Sequence, residues 1–329
     1  ALHTPSNVLL YAHEYLRVIF GGILCTMAYN IAASILRSLG DSRTPLYFLI
    51  LSSFLNIVLD IFFIATLHMG TAGAAWATVL SQGISALLCF WYMFHNYNNL
   101  RLSIRDLYPD PYRILCMIQS GIPMALNQTV TAFGIMILQS GINQFGSSVM
   151  AAYTAASKLE SLVMQPMIAL GSGISTYCAQ NIGARKTKRI FVGVRSTMLL
   201  SLGAAILGMA LYGIASKAIL RIFLSDPSPE MVHYALQYLY TSVWFLLFLA
   251  WIFLFRNALV GLGNGLITII GGVAELLCRF LCIHFLLQPF GFWCICLTNP
   301  ITWIVACSLF CGFYFRWEHQ QKHCSKSER

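Results

Sequence analysis

In a chain of 329 residues with only 31 formally charged side chains, 20 basic and 11 acidic, the charges and amides that interrupt apolar runs are the places where chemistry can occur. Lys158 and Glu160 stand in "AASKLES", Asn56 and Asp60 in "LNIVLDIFF", and Glu275 and Arg279 in "AELLCRF". A charge in an apolar medium costs about 3 kcal/mol even on the gentlest scales, so each is a functional candidate unless it is paired. Two helical residues turn through about 200°, which sends Lys158 and Glu160 to opposite sides. Thr154, Lys158 and Gln165 share a face. That face is expected to line a solute path, with Glu160 as an acid that exchanges a proton or another cation; the alternative is that Lys158 and Glu160 each form a structural pair between helices. Asn56 and Asp60, four apart, project to one side as cation ligands or as a polar clamp between helices. Glu275 and Arg279 are also four apart, with the acid first, which suits an internal ion pair of structural or gating use. Gln128, Thr131 and Gln139 lie along one side of "GIPMALNQTVTAFGIMILQSG", where amides either join helices or bind solute. Pro123 and Pro166 are expected to interrupt their helices.

Catalytic chemistry has no comparable signature. The eight histidines are scattered toward ends and loops, and no Ser-His-Asp order emerges. Cys294 and Cys296 lack the second ligand pair that a zinc site needs. Ten of the eleven cysteines lie in apolar runs, where thiols behave as small hydrophobes. The expectation is a protein that is not an enzyme and holds no metal and no cofactor.

The elements that position these residues follow from composition. Hydrophobic residues make up 58% of the chain and charged residues 9%, against about 25% charged in soluble domains. Apolar stretches of about 20 residues span a bilayer of about 30 Å. Nine such spans are predicted, at 15–36, 46–67, 72–94, 114–144, 149–180, 191–223, 233–260, 266–287 and 293–315. The net charge of +9 resides mainly in short loops. With alternating sides, Arg37, Arg43, Arg101, Arg105, Arg113, Arg185, Lys186, Lys188, Arg189, Arg195, Arg316, Lys322, Lys326 and Arg329 fall together, against Arg17, Lys217 and Arg221 opposite. This is the bias of a multi-pass protein of the cell membrane whose basic loops are cytoplasmic. It also removes the case for a nucleic-acid partner.

A repeat sets the architecture. "LRSLGDSRTPL" (36–46) has an echo in "LVGLGNGLITI" (259–269); Gly40 and Gly263 are 223 positions apart, as are the pairs Tyr15-Leu16 and Tyr238-Leu239. A fixed offset of this kind marks a duplicated unit. Gly40 permits a tight turn and Asp41 is placed to cap the next helix. Six spans follow the polar stretch 95–113 and three precede it. The expectation is therefore an all-α integral membrane protein of twelve spans, of which nine are in hand, built as two six-helix bundles. Residues 1–94 are the partial first bundle, 95–113 a cytoplasmic linker, 114–315 the second bundle and 316–329 a cytoplasmic tail.

The motifs "YLRVIFGG", "LRSLGDSRTP", "LNIVLDIFFI", "SGIPMALNQ", "AAYTAASKLE", "AQNIGARKTKRI" and "RNALVGLGNG" give the chain a further likeness. It resembles the multidrug and toxic compound extrusion (MATE) family, over essentially its whole length. The resemblance implies two bundles around a central cleft, and antiport in which inward sodium or protons drive outward movement of drugs or metabolites. Such transporters alternate access by rocking repeat units. It implies lipid and small-molecule partners, no cofactor beyond the transported Na+ or H+, and a monomer. One departure stands out: some members carry an acid on the seventh helix, where this chain has Thr131. A flippase for lipid-linked saccharides on the same architecture is the first alternative, and a membrane-embedded lipid-modifying enzyme the second.

Overall fold

The computed structural model describes residues 6–97, 100, 108–223 and 228–327. It divides into two compact units, Ala1–Pro109 and Asp110–Arg329. Much of the stretch expected as a linker, 98–99 and 101–107, lies outside the described residues.

The first unit holds α1 (Ser6–Gly21), α2 (Ile23–Ser38), α3 (Arg43–Ile61, continued by a π-helical turn over 62–66) and α4 (Gly70–Asn96). The span expected as one helix over 15–36 is two, bent by 48° at Gly22. A side chain at Gly22 would overlap Val79 of α4, so the bend brings backbone against helix where only glycine fits. α4 presents small residues inward (Gly73, Ala75, Ala77, Ser81, Ser85, Ala86), which lets α1, α2 and α3 pack close on it. Two hydroxyls lock the packing: Tyr29 donates to the Pro45 carbonyl (3.1 Å) and Ser85 to that of Phe48 (3.0 Å).

The second unit holds α5 (Pro111–Ile142), α6 (Ser147–Gly183), α7 (Thr187–Phe223), α8 (Pro229–Ser242), α9 (Leu246–Gly261), α10 (Leu266–Leu281, with a π-helical turn over 282–286), α11 (Leu287–Phe290) and α12 (Phe292–Ser327). The expected span 233–260 passes through a 3-10 turn at 243–245 and remains one span. Pro123 and Pro166 break nothing: both sit inside continuous helices. α12 runs on to Ser327, so the expected tail continues the last helix. α6 packs against α7, α8 and α9, while α10 packs against α5 and α12. At Gly261 of α9 an added side chain would overlap the Ser175 carbonyl, and at Gly171 of α6 it would crowd the Phe253 carbonyl at 2.9 Å. The α6 and α9 backbones therefore touch.

Among the described residues seven helices are long and apolar enough to cross a membrane, or eight with the bent pair counted as one span. The remaining predicted span, 149–180, is α6, whose serines, threonines and charges lower its hydropathy. A helix enclosed by three others meets protein more than lipid, so it tolerates such a sequence. Elsewhere large apolar side chains face outward, among them Phe20, Leu24, Phe54, Leu87, Leu199 and Ile214. Of the thiols expected at membrane depth, Cys89, Cys178, Cys282, Cys294, Cys296 and Cys307 are buried and Cys116 is exposed.

The repeat is visible element by element. α1 and α8 begin at 6 and 229, α2 and α9 at 23 and 246, α3 and α10 at 43 and 266, α4 and α12 at 70 and 292. The turn after α2 and that after α9 are the same structure. Gly40 (φ +92°) donates to the Arg37 carbonyl and Asp41 to that of Leu36; Gly263 (φ +83°) donates to Val260 and Asn264 to Leu259. This is the helix-terminating motif that wants a left-handed residue at its pivot. Asp41 then caps α3, its carboxylate accepting from the Arg43 and Thr44 amides (3.2 and 3.0 Å). Burial in the turn raises the Asp41 carboxyl, but the Thr44 and Arg43 hydrogen bonds outweigh it and hold the group below its ordinary value.

Candidate functional site

Glu160 lies on the buried stripe of α6 that includes Ala152, Ala156, Leu159 and Val163, and is only 6% exposed. The neighbouring small residues draw the surrounding helices in and leave the carboxylate no water. One partner compensates: the Tyr238 hydroxyl of α8 donates to the Glu160 Oε2 at 2.6 Å. Tyr238 is fully buried on the stripe Ala235, Tyr238, Leu239, Ser242, which is the 3-4-7 spacing of one helix face. The same hydroxyl accepts from the Asn299 Nδ2 of α12 at 2.9 Å. Tyr153, two turns before Glu160, sets its ring edge-on to Tyr238 at 5.0 Å. A three-member relay thus joins α6, α8 and α12, roofed by an aromatic edge.

Several polar atoms around it are unspent. Asn299 Oδ1, Tyr212 Oη, and Nε and Nη1 of Arg279 are buried without a hydrogen-bond partner. A buried group left in that state costs about 1–3 kcal/mol. Arg279 lies 3.8 Å from Glu275, both nearly enclosed, so the expected i,i+4 pair is formed at loose range. The guanidinium rests on Gly134 of α5, where an added side chain would come within 2.7 Å of Nη1. Arg279 is also within electrostatic reach of Glu160, and Arg256 of Glu275. Arg256 stacks over the Phe253 ring at 5.1 Å.

The other candidates distribute as follows. Thr154, Lys158 and Gln165 are exposed together on the opposite face of α6 from Glu160. Thr154 turns its hydroxyl back to the Met150 carbonyl (2.8 Å). On α5, Gln128 is exposed, Thr131 donates to the Asn127 carbonyl (2.9 Å) and Gln139 to Asn143 Oδ1 (3.0 Å). The amide that joins helices is the neighbouring Asn127, which donates to the Thr268 carbonyl of α10 at 2.6 Å. In the first unit Asn56 reaches Thr78 of α4 at 3.5 Å, and Asp60 Oδ1 is buried without a partner. Among the described residues no group of three or more His, Cys, Asp or Glu is gathered as a metal site would require.

Sequence reasoning found Glu160 but missed Tyr238, Asn299 and Asn127. A signal for Asn127 existed: Pro123, Asn127, Gly134, Leu138 and Ile142 form one helical stripe that buries, and Gln128 sits off it. Asn299, a lone amide before Pro300 in an apolar run, was legible too. Tyr238 was not, because tyrosine in a span reads equally as lipid-facing.

The comparisons agree with this architecture. The MatE family model matches residues 1–62 and 123–290. "Probable multidrug resistance protein YpnP" of Bacillus subtilis is 32% identical over 238 residues, 72% of this chain and 53% of that protein. The "FAD transporter" of Shewanella oneidensis is 25% identical over 58% of this chain and 42% of its own length. The chain spans about half the length of the curated relatives it matches, YpnP and YoeA of Bacillus subtilis among them. "Crystal structure of MATE in the bent conformation" superposes with a TM-score of 0.88 at 21% identity, covering 98% of this chain and 72% of that one, and a transporter of the MOP superfamily from Pyrococcus furiosus gives 0.86 at 22%, covering 97% and 71%. At that identity the likeness concerns the fold.

Proposed function

The chain belongs to the MatE family, and from that premise we propose that it serves a cation-coupled antiporter of the cell membrane, exporting amphipathic, often cationic, organic compounds by alternating access. The all-α membrane fold and the names of multidrug-resistance relatives support transport. The observation that carries the coupling is the enclosed Glu160 carboxylate with Tyr238 as its hydrogen-bond donor.

The relay offers a route by which one cation changes helix contacts. In the ionised state Asn299 donates to Tyr238 and Tyr238 donates to Glu160. If Glu160 takes up a proton on Oε2, its new O–H faces the tyrosine oxygen, and the tyrosine proton then turns elsewhere. Asn299 Oδ1, which has no partner, is the acceptor at hand once its amide rotates. Hydrogen-bond direction then reverses along three helices, which favours a different packing of α6, α8 and α12. A sodium ion would act on the same carboxylate by competing with the tyrosine donor. The exposed polar face with Thr154, Lys158 and Gln165 suits a wet path rather than lipid. The Glu275–Arg279 pair, loose at 3.8 Å, gates by changing partner between Glu275 and Glu160.

The test uses the full-length protein in proteoliposomes loaded with a cationic dye. Export driven by an imposed inward proton or sodium gradient supports the antiporter. Movement of a lipid-linked saccharide without any gradient, and no dye export, identifies the flippase.

A further inference from the structure

We propose that the groove between α6 and α7, with the basic turn at its mouth, is a binding site for an anionic phospholipid. The turn from α6 to α7 is the same motif as those at Gly40 and Gly263: Arg185 donates to the Ile182 carbonyl and Lys186 to that of Asn181. Its pivot, however, is Arg185 at φ +57°, where the two sister turns have glycine. A left-handed non-glycine residue strains the backbone, and strain of this sort points to a use for the side chain. Arg185, Lys186, Lys188 and Arg189 are all exposed, within five residues, and none forms an ion pair with a described acid. The cluster is therefore free to meet an anion.

Below it lies a groove of about 800 Å³ within the second unit, with Ala169, Gly173 and Tyr177 on one wall and Val192, Ser196 and Leu200 on the other. Val192 and Leu200 are 65% and 60% exposed, and Gly173 faces open space. At 1.5 Å per residue the lining from Tyr177 down to Pro166 runs about 9–26 Å from the end of α6. That covers the acyl depth of one leaflet, about 15 Å of hydrocarbon. Tyr177 links the two parts. Its ring covers Gly193, and its hydroxyl donates to the Arg189 carbonyl at 3.2 Å, so an amphipathic ring stands at the level where headgroup gives way to tail. A basic pocket between helices above an apolar groove matches a phosphate joined to acyl chains, and a free anion would not need the groove.

This inference goes beyond the transport reading, and its test needs no transport. Thermal unfolding of the purified full chain is followed in detergent with added phosphatidylglycerol or phosphatidylcholine at equal mole fraction. The Tm rises with phosphatidylglycerol, does not rise with phosphatidylcholine, and the rise shrinks in high salt. Arg185→Gly loses most of the phosphatidylglycerol rise while its Tm in phosphatidylcholine equals or exceeds that of the parent, because glycine suits the turn. Gly173→Leu, which fills the groove without touching the charges, also loses it. Inorganic phosphate or glycerol phosphate gives no rise. Full retention of the rise by either variant, or its reproduction by inorganic phosphate, overturns the proposal.

Discussion

Tyr238→Phe separates the relay from mere packing. The substitution keeps the ring and its 5.0 Å edge contact with Tyr153, and removes only the hydroxyl. Two bonds go with it: the one donated to the Glu160 carboxylate at 2.6 Å and the one accepted from Asn299 at 2.9 Å. A hydrogen bond to a buried charge contributes about 1.5–3 kcal/mol, and a donor left unsatisfied costs about 1–3 kcal/mol. Members of one network are not additive, so we expect a loss of about 3 kcal/mol. Glu160→Gln behaves differently. Its amide oxygen still accepts from Tyr238, and the buried charge disappears, which offsets the weaker bond. We expect its stability within about 1 kcal/mol of the parent. The assay is equilibrium unfolding in mixed micelles by SDS titration, followed by tryptophan fluorescence. The double variant closes the cycle with a coupling of at least about 1 kcal/mol. A Tyr238→Phe protein within about 0.5 kcal/mol of the parent, or a Glu160→Gln protein less stable than Tyr238→Phe, would refute the reasoning.

Three further outcomes are expected. Gly261→Ala, which drives a methyl into the Ser175 carbonyl, destabilises by about 1–3 kcal/mol, whereas Gly203→Ala, with open space around it, is neutral or stabilising in the same unfolding titration. Arg279→Met leaves Glu275 without its partner at 3.8 Å and costs about 3–5 kcal/mol, while adding Glu275→Gln restores much of the folded yield by fluorescence-detected gel filtration. Asp41→Ala removes the cap on the Arg43 and Thr44 amides and costs about 0.5–1 kcal/mol at neutral pH. Because the folded Asp41 carboxyl lies below its ordinary value, its contribution is complete above the unfolded pKa of about 4 and is lost as pH falls through the lower folded value. The gap between parent and Asp41→Ala Tm values should therefore close in acid.

How much of this was legible depended on the kind of signal. The repeat was plain in the sequence because a left-handed pivot favours glycine, and Gly40 and Gly263 both supply it at the same offset. The bend at Gly22 and the 3-10 turn at 243–245 were not, since an apolar run reads the same whether straight or bent. Glu160 stood out because an acid in an apolar run has few innocent explanations. Its partner Tyr238 did not, because a buried tyrosine and a lipid-facing one are the same letter. Asn127 lies 100° of helical phase from Gln128, and it is Asn127 that the buried stripe around Pro123 and Leu138 carries toward α10. The span 149–180 was legible despite its polarity: α6, the least apolar of the predicted spans, packs against more helices of its unit than α5 does, because contact with protein relaxes the demand that lipid imposes.

The most direct test of the account is uphill dye export by the full-length protein in proteoliposomes, with and without Glu160→Gln, under matched proton and sodium gradients. The account predicts that the parent concentrates dye against its gradient. The variant should still exchange dye downhill and fail to concentrate it under either ion. Uphill export by Glu160→Gln at the parental rate would contradict it.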